Sequence, residues 1–157
     1  MEPQSAKPRQ SSYNTNLASE FYALSLLHRL GIEAHLTLGN KKAVDIVVVR
    51  EAGDTVTVDV KAVAGSVDWL VGNVPRTARP QHFIALLTYN GKFKDIKSQP
   101  DVWLLPHTEF LVLVRTARAP STMKYVSRTD ILKLSNREQA WDLLLRGSTD
   151  SALPESA

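Results

Sequence analysis

The sequence predicts an α/β fold (or α+β) built on one central mixed β-sheet flanked by helices. Three observations lead there. A helical-period segment opens the ordered part of the chain. Two neighbouring runs of β-branched residues are separated by a short polar turn. Further strand-like runs and a closing helical pattern follow. At 157 residues the chain has the length of one ordinary domain, and 43% hydrophobic against 22% charged residues suffices for a buried core. The expected organisation is a polar arm over 1–14, a domain over 15–146 and a polar tail over 147–157.

The elements follow in order. Residues 17–30 read as a helix with Leu17, Phe21, Leu24, Leu27 and His28 near one face, and Gly31 as its stop. Residues 32–38 are a short strand candidate. Residues 44–49 are almost wholly apolar and β-branched, which suits a buried central strand. Residues 55–63 alternate strictly, and Glu51, Ala52 and Gly53 join the two runs into an antiparallel hairpin. Residues 64–80 are irregular, with a short helix around 66–71 or none. Strands are expected over 83–89 and 102–105. Residues 108–114 fit helix and strand equally, and Tyr125 and Val126 start another short strand. Ser135 and Glu138 form a capping-box pair for a last helix over 135–146, with Gly147 as its stop.

Composition removes several chemistries. Cysteine is absent, which excludes thiol nucleophiles, disulfides and Cys-ligated metals. The four histidines, His28, His35, His82 and His107, show no zinc-ligand spacing. No Gly-x-Ser-x-Gly elbow, P-loop or Gly-x-Gly-x-x-Gly occurs. No apolar run reaches the length of a membrane span and no signal-peptide pattern opens the chain, so a cytoplasmic protein without membrane association is expected. A formal charge of +3 permits a polyanionic partner without demanding one.

Four polar residues stand where polar residues are costly. Glu20 projects onto the apolar stripe of the first helix, between Leu24 and Leu27. There it needs a cation, a donor or a metal; a dipole or lysine partner is the plainer reading. Asp45 interrupts an apolar strand, either for function or as a strand-entry cap. Asp59 and Lys61 share one face of the alternating strand, while Val56, Val58, Val60 and Ala62 point to the other. With a three-residue turn at 51–53, Arg50 faces Asp54 and Asp45 falls opposite Asp59. Two facing carboxylates repel unless a divalent cation lies between them. A surface ion pair between Asp59 and Lys61 is the simpler alternative.

Taken together, a helix Glu20, Val44-Asp45 and Asp59-Val60-Lys61, with the two acids 14 residues apart, resemble the PD-(D/E)xK nuclease superfamily, in particular its Holliday-junction-resolvase-like branch. Val44 replaces the family's usual proline, and Asp59 its commoner Glu. The resemblance implies a restriction-endonuclease-like core and a metal-dependent DNA endonuclease leaving 5′-phosphate and 3′-hydroxyl ends. It implies catalytic Glu20, Asp45, Asp59 and Lys61. Mg²⁺ or Mn²⁺ would be held by Asp45 and Asp59 with the Val60 carbonyl. Lys61 would orient or deprotonate water, or steady phosphate charge. Glu20 would fix the geometry from the helix.

Basic loops could take phosphates: Lys41 and Lys42, Arg76 and Arg79, and Lys92, Lys94 and Lys97, each also readable as ordinary solvated loop residues. Trp69 reads as a base-stacking residue or as core; Trp103 and Trp141 read as core. The expected partner is double-stranded or branched DNA, and a homodimer suits cutting two strands with one site per chain. The rival readings are a catalytically silent nuclease-fold module that binds DNA or protein, and an interaction domain with a fortuitous Asp-x-Lys.

Overall fold

Val, Ile and Thr dominate two runs on either side of residues 51–53, and these runs form the hairpin from which the sheet grows. A computed structural model describes residues 12–38, 44–72 and 74–146. The element order is α1 (Tyr13–Arg29), β1 (Glu33–Leu36), β2 (Ile46–Val49), β3 (Thr55–Val63), β4 (Trp69–Leu70), β5 (His82–Thr88) and β6 (Asp101–Pro106). Then come α2 (His107–Leu113), β7 (Val114–Thr116), β8 (Lys124–Val126), α3 (Arg128–Leu132) and two 3-10 turns, Ser135–Arg137 and Trp141–Leu144. The main sheet is mixed, in the order β1-β2-β3-β5-β6, with β3 and β5 parallel and the other pairs antiparallel. All seven residues of β5 are buried, as a strand covered on both faces must be. The predicted mixed α/β architecture with helices on a central sheet is the one observed.

The core has two halves, one on each face of this sheet. Val56, Val58 and Val60 of β3 meet Ala23 and Leu27 of α1, together with Trp141 and Leu144 from the last 3-10 turn. Ile84 and Leu86 of β5 meet Trp69, Phe110, Val126 and Ile131 from the opposite layer. That layer contains a second sheet, β4-β8-β7, which local patterning did not disclose. Residues 66–71 carry no helix; β4 pairs with β8 instead.

The three-residue turn sets the register, as the sequence predicts. The Arg50 N–H donates to the Asp54 carbonyl at 2.9 Å, and Gly53 adopts φ 86°, a conformation that glycine takes without strain. Ile46 then pairs with Val58 and Val49 with Thr55. The Arg50 side chain bonds the Leu144 carbonyl at 2.7 Å, joining the hairpin to the C-terminal turn.

Three sequence expectations are corrected. First, α1 begins at Tyr13, inside the segment expected to be an arm; residues 1–11 and the expected tail 147–157 lie outside the described residues. Second, its buried stripe is Thr15, Ser19, Glu20, Ala23 and Leu27, while Phe21 is 52% exposed and His28 is also exposed. Ser19 and Ala23 are both fully buried, and a search for large apolar residues at helical spacing does not register residues this small. The stop is as expected. Ile32 and Gly31 donate to Leu27 and His28 at 2.9 and 3.0 Å, with Gly31 at φ 74°. Third, residues 135–146 are not a helix. Glu138 makes an isolated antiparallel bridge to Trp103, the Gln139 N–H bonds the Val102 carbonyl at 3.0 Å, and Gln139 takes φ 51°. Pairing with the edge of β6 uses the backbone groups that a helix would need, and Ser135 makes no cap.

Trp69 is 1% exposed, donates its indole N–H to the Leu87 carbonyl at 2.9 Å and meets Trp103 edge-on. It is therefore a core residue, not a surface for stacking a base. Trp69→Ala is expected to lower unfolding stability by about 3–5 kcal/mol in a urea titration, as for other buried large-to-small changes.

Candidate active site

The site exists because β2 ends before β3 does. Pairing between them stops at Ile46 and Val58, and β3 continues to Val63 with β5 as its remaining partner. The freed edge of β3 needs acceptors for its backbone N–H groups. Asp45 supplies one: its Oδ2 accepts the Val60 N–H at 2.7 Å. Its own N–H donates to the Val58 carbonyl at 3.2 Å, and its carbonyl accepts the Thr37 N–H at 2.9 Å. Asp45 thus stands at the entry to β2, and its carboxylate is aimed at the Asp-x-Lys strand.

A cleft of about 520 Å³ opens at this divergence. Glu20 of α1, Asp45, Val60, Lys61, Asp68 and Trp69 are among the residues that line it. Glu20 and Asp45 are 8% and 9% exposed, so both carboxylates are largely withdrawn from water beside the cleft. The structure therefore brings together three of the four residues singled out from sequence. They come from a helix, a strand entry and a central strand.

Asp59 is placed differently. It is 7% exposed, is not among the residues lining the cleft, and its Oδ2 lies 3.3 Å from His82 Nε2. That approach lacks hydrogen-bond geometry, which leaves His82 Nε2 buried without a hydrogen-bond partner. His82 Nδ1 lies 2.7 Å from Thr57 Oγ1. Behind it, the fully buried His107 packs edge-on with ring centroids 5.1 Å apart. His82 and His107 are the residues sequence reasoning passed over. Without metal-ligand spacing they carried no signal, and only the parallel β3–β5 pairing puts Thr57 beside His82.

His107 spans from this cluster to the loop after β4. Its Nδ1 accepts the Arg79 N–H at 3.0 Å, and its Nε2 faces the Pro75 carbonyl at 2.9 Å, so the ring is neutral with Nε2 as the donor. It fixes the backbone of the loop that presents the exposed Arg76 and Arg79. Lys41 and Lys42 lie outside the described residues. Burial holds the His107 pKa below the usual histidine value of 6.5. The unfolded chain consequently takes up a proton that the folded chain resists, and stability falls as pH drops from 6.5 toward the lowered folded value. Urea midpoints measured between about pH 7 and 5 are expected to fall with acid, and to fall less in His107→Gln, which cannot titrate.

Whether these residues suit a divalent cation can be judged from the donors. Among the described residues, no group of three or more His, Asp or Glu side chains is arranged to hold a metal. The cleft does present two carboxylates, and Mg²⁺ is commonly held by one or two with waters completing its shell. The donor chemistry, all oxygen, fits Mg²⁺ or Mn²⁺ and not a softer ion.

The fold is one that a nuclease uses. A bacterial homing endonuclease, I-Ssp6803I, is similar in structure with a TM-score of 0.52, over 86% of this chain and 91% of that one, at 18% sequence identity. The likeness establishes a shared fold. No family model matches the chain, and no curated protein does. No helix among the described residues is long and apolar enough to cross a membrane.

Proposed function

We propose that the chain is a Mg²⁺- or Mn²⁺-dependent DNA endonuclease of the PD-(D/E)xK type, acting through Glu20, Asp45, Asp59 and Lys61. The observation that supports this best is the convergence of Glu20, Asp45 and Lys61 on one cleft where the hairpin splays. Asp45 and Asp59, with the Val60 carbonyl, would hold the cation, Asp59 turning from His82 toward the cleft. A bound cation supplies charge neutralisation at the phosphate and a more acidic water.

The chain's own groups do the rest. Lys61 lines the cleft, and its ammonium would steady the charge that builds on the phosphoryl oxygens. Glu20 lines the same cleft and would fix the geometry from α1. Water loses a proton to solvent as its oxygen adds to phosphorus, the bond to the 3′ oxygen breaks, and that oxygen takes a proton from solvent to leave a 3′-hydroxyl beside a 5′-phosphate. Arg76 and Arg79 lie on the anchored loop and would take backbone phosphates. A homodimer would let two such sites cut both strands.

Two observations favour the silent module as a second reading: Asp45 already serves the Val60 N–H, and Asp59 lies against His82. The test is incubation with plasmid, linear, single-stranded and four-way-junction DNA plus Mn²⁺, with Asp59→Asn as control. Cleavage by the native chain alone supports the enzyme. DNA retention with neither cleavage nor calorimetric Mn²⁺ binding supports the module.

A further inference from the structure

The loop over residues 90–100 leaves the sheet at the end where the cleft opens. Parallel pairing sets Val63 of β3 beside Thr88 of β5, and Val63 lines the cleft. The chain beyond Thr88 is tied to the same strand: Tyr89 and Gly91 donate to the Val63 and Ala64 carbonyls at 3.0 and 2.8 Å. Asn90 Nδ2 bonds Asp101 Oδ2 at 2.8 Å and so closes the neck of the loop. The Arg128 guanidinium grips Asn90 Oδ1 at 2.8 Å.

Within the loop the backbone is fixed by successive turns. Lys92, Asp95 and Ser98 donate to the Tyr89, Lys92 and Asp95 carbonyls at 2.8, 3.0 and 3.0 Å. Phe93 packs edge-on against Tyr89 at 4.9 Å. This frame presents an unusual surface. Lys92, Lys94 and Lys97 are exposed, and the loop's one acid, Asp95, directs Oδ1 at the Lys97 N–H, 3.1 Å away. Between the lysines stands Ile96, 96% exposed, the most exposed large apolar side chain among the described residues. Cations around a rigidly held apolar tip match a partner with anionic edges and an apolar interior. Duplex DNA has that make-up, with phosphates outside and stacked bases within.

We infer that this loop is a DNA-contact element in which Lys92, Lys94 and Lys97 bind backbone phosphates and Ile96 wedges against a base step beside the cleft. The inference rests on the DNA reading of the site and adds the surface that grips and distorts the substrate. It requires no metal.

The test measures binding of the full chain to a short duplex in EDTA across a salt series, with 2-aminopurine in the duplex to report unstacking. The triple variant Lys92→Ala, Lys94→Ala, Lys97→Ala is expected to reduce the log–log salt slope by about 2.7, or 0.9 for each lost phosphate contact. Ile96→Ser is expected to keep the slope, weaken binding about tenfold and lose the 2-aminopurine signal. These side chains are exposed, and unchanged melting curves confirm that the variants fold. Native slope and affinity in both variants, with the native chain binding DNA, overturn the loop inference and leave the nuclease reading standing. A native chain that ignores DNA at low salt sinks both. Co-sedimentation with phosphatidylserine vesicles in place of DNA binding would assign the loop to an anionic lipid surface instead.

Discussion

Asp59→Asn is expected to lower cleavage by at least about 10²–10³-fold while DNA affinity holds or rises, the largest effect that the proposed site predicts. The reasoning begins from its strand. Asp59 and Lys61 lie two apart in β3 and share a face, and Lys61 reaches the cleft. An amide keeps the shape of the carboxylate and removes the charge a hard cation requires. It also removes a negative charge close to where phosphate would sit, which is why affinity does not fall. Single-turnover cleavage beside a filter-binding isotherm separates the two effects. Undiminished cleavage would show that Asp59 is no ligand and that its place against His82 is structural.

Lys61→Ala is expected to abolish turnover by a comparable factor and to keep Mn²⁺ binding. Lys61 is half-buried at the cleft, so its ammonium acts in a medium where charge counts for more than in water. It supplies no ligand to a cation, and calorimetric Mn²⁺ affinity should therefore survive its removal. Loss of both activities would mean that Lys61 supports the cleft's architecture instead. Restoration of cleavage by Lys61→Arg would show that a positive charge is enough, and that no proton needs to leave this side chain.

The hairpin was legible because its information is local. The turn at residues 51–53 fixes the register, and one further step places Asp45 beside the Asp-x-Lys strand. Glu20 is legible as a buried acid because its burial conflicts with its chemistry, although the stripe around it runs through Ser19 and Ala23 and not through Phe21 and His28. Apolar counting favoured Phe21 and His28 over Ser19 and Ala23. The parallel pairing of β3 with β5 was hidden, since nothing local joins residues so far apart in sequence, and with it the neighbours of Asp59. The C-terminal segment misled for a definite reason. Ser135 and Glu138 spell a helix start, and backbone pairing of Glu138 and Gln139 with β6 overrides it. Local pattern leaves Trp69 open between core and surface, and its pairing in the second sheet makes it core.

In the proposed site, acids from the strand entry and the strand interior meet around one cation. Anomalous diffraction from crystals soaked in Mn²⁺ tests it directly. One strong peak is expected about 2.1 Å from carboxylate oxygens of both Asp45 and Asp59 and from the Val60 carbonyl, with Asp59 turned away from His82. No peak in the cleft, or a peak with Asp59 still against His82, would contradict it.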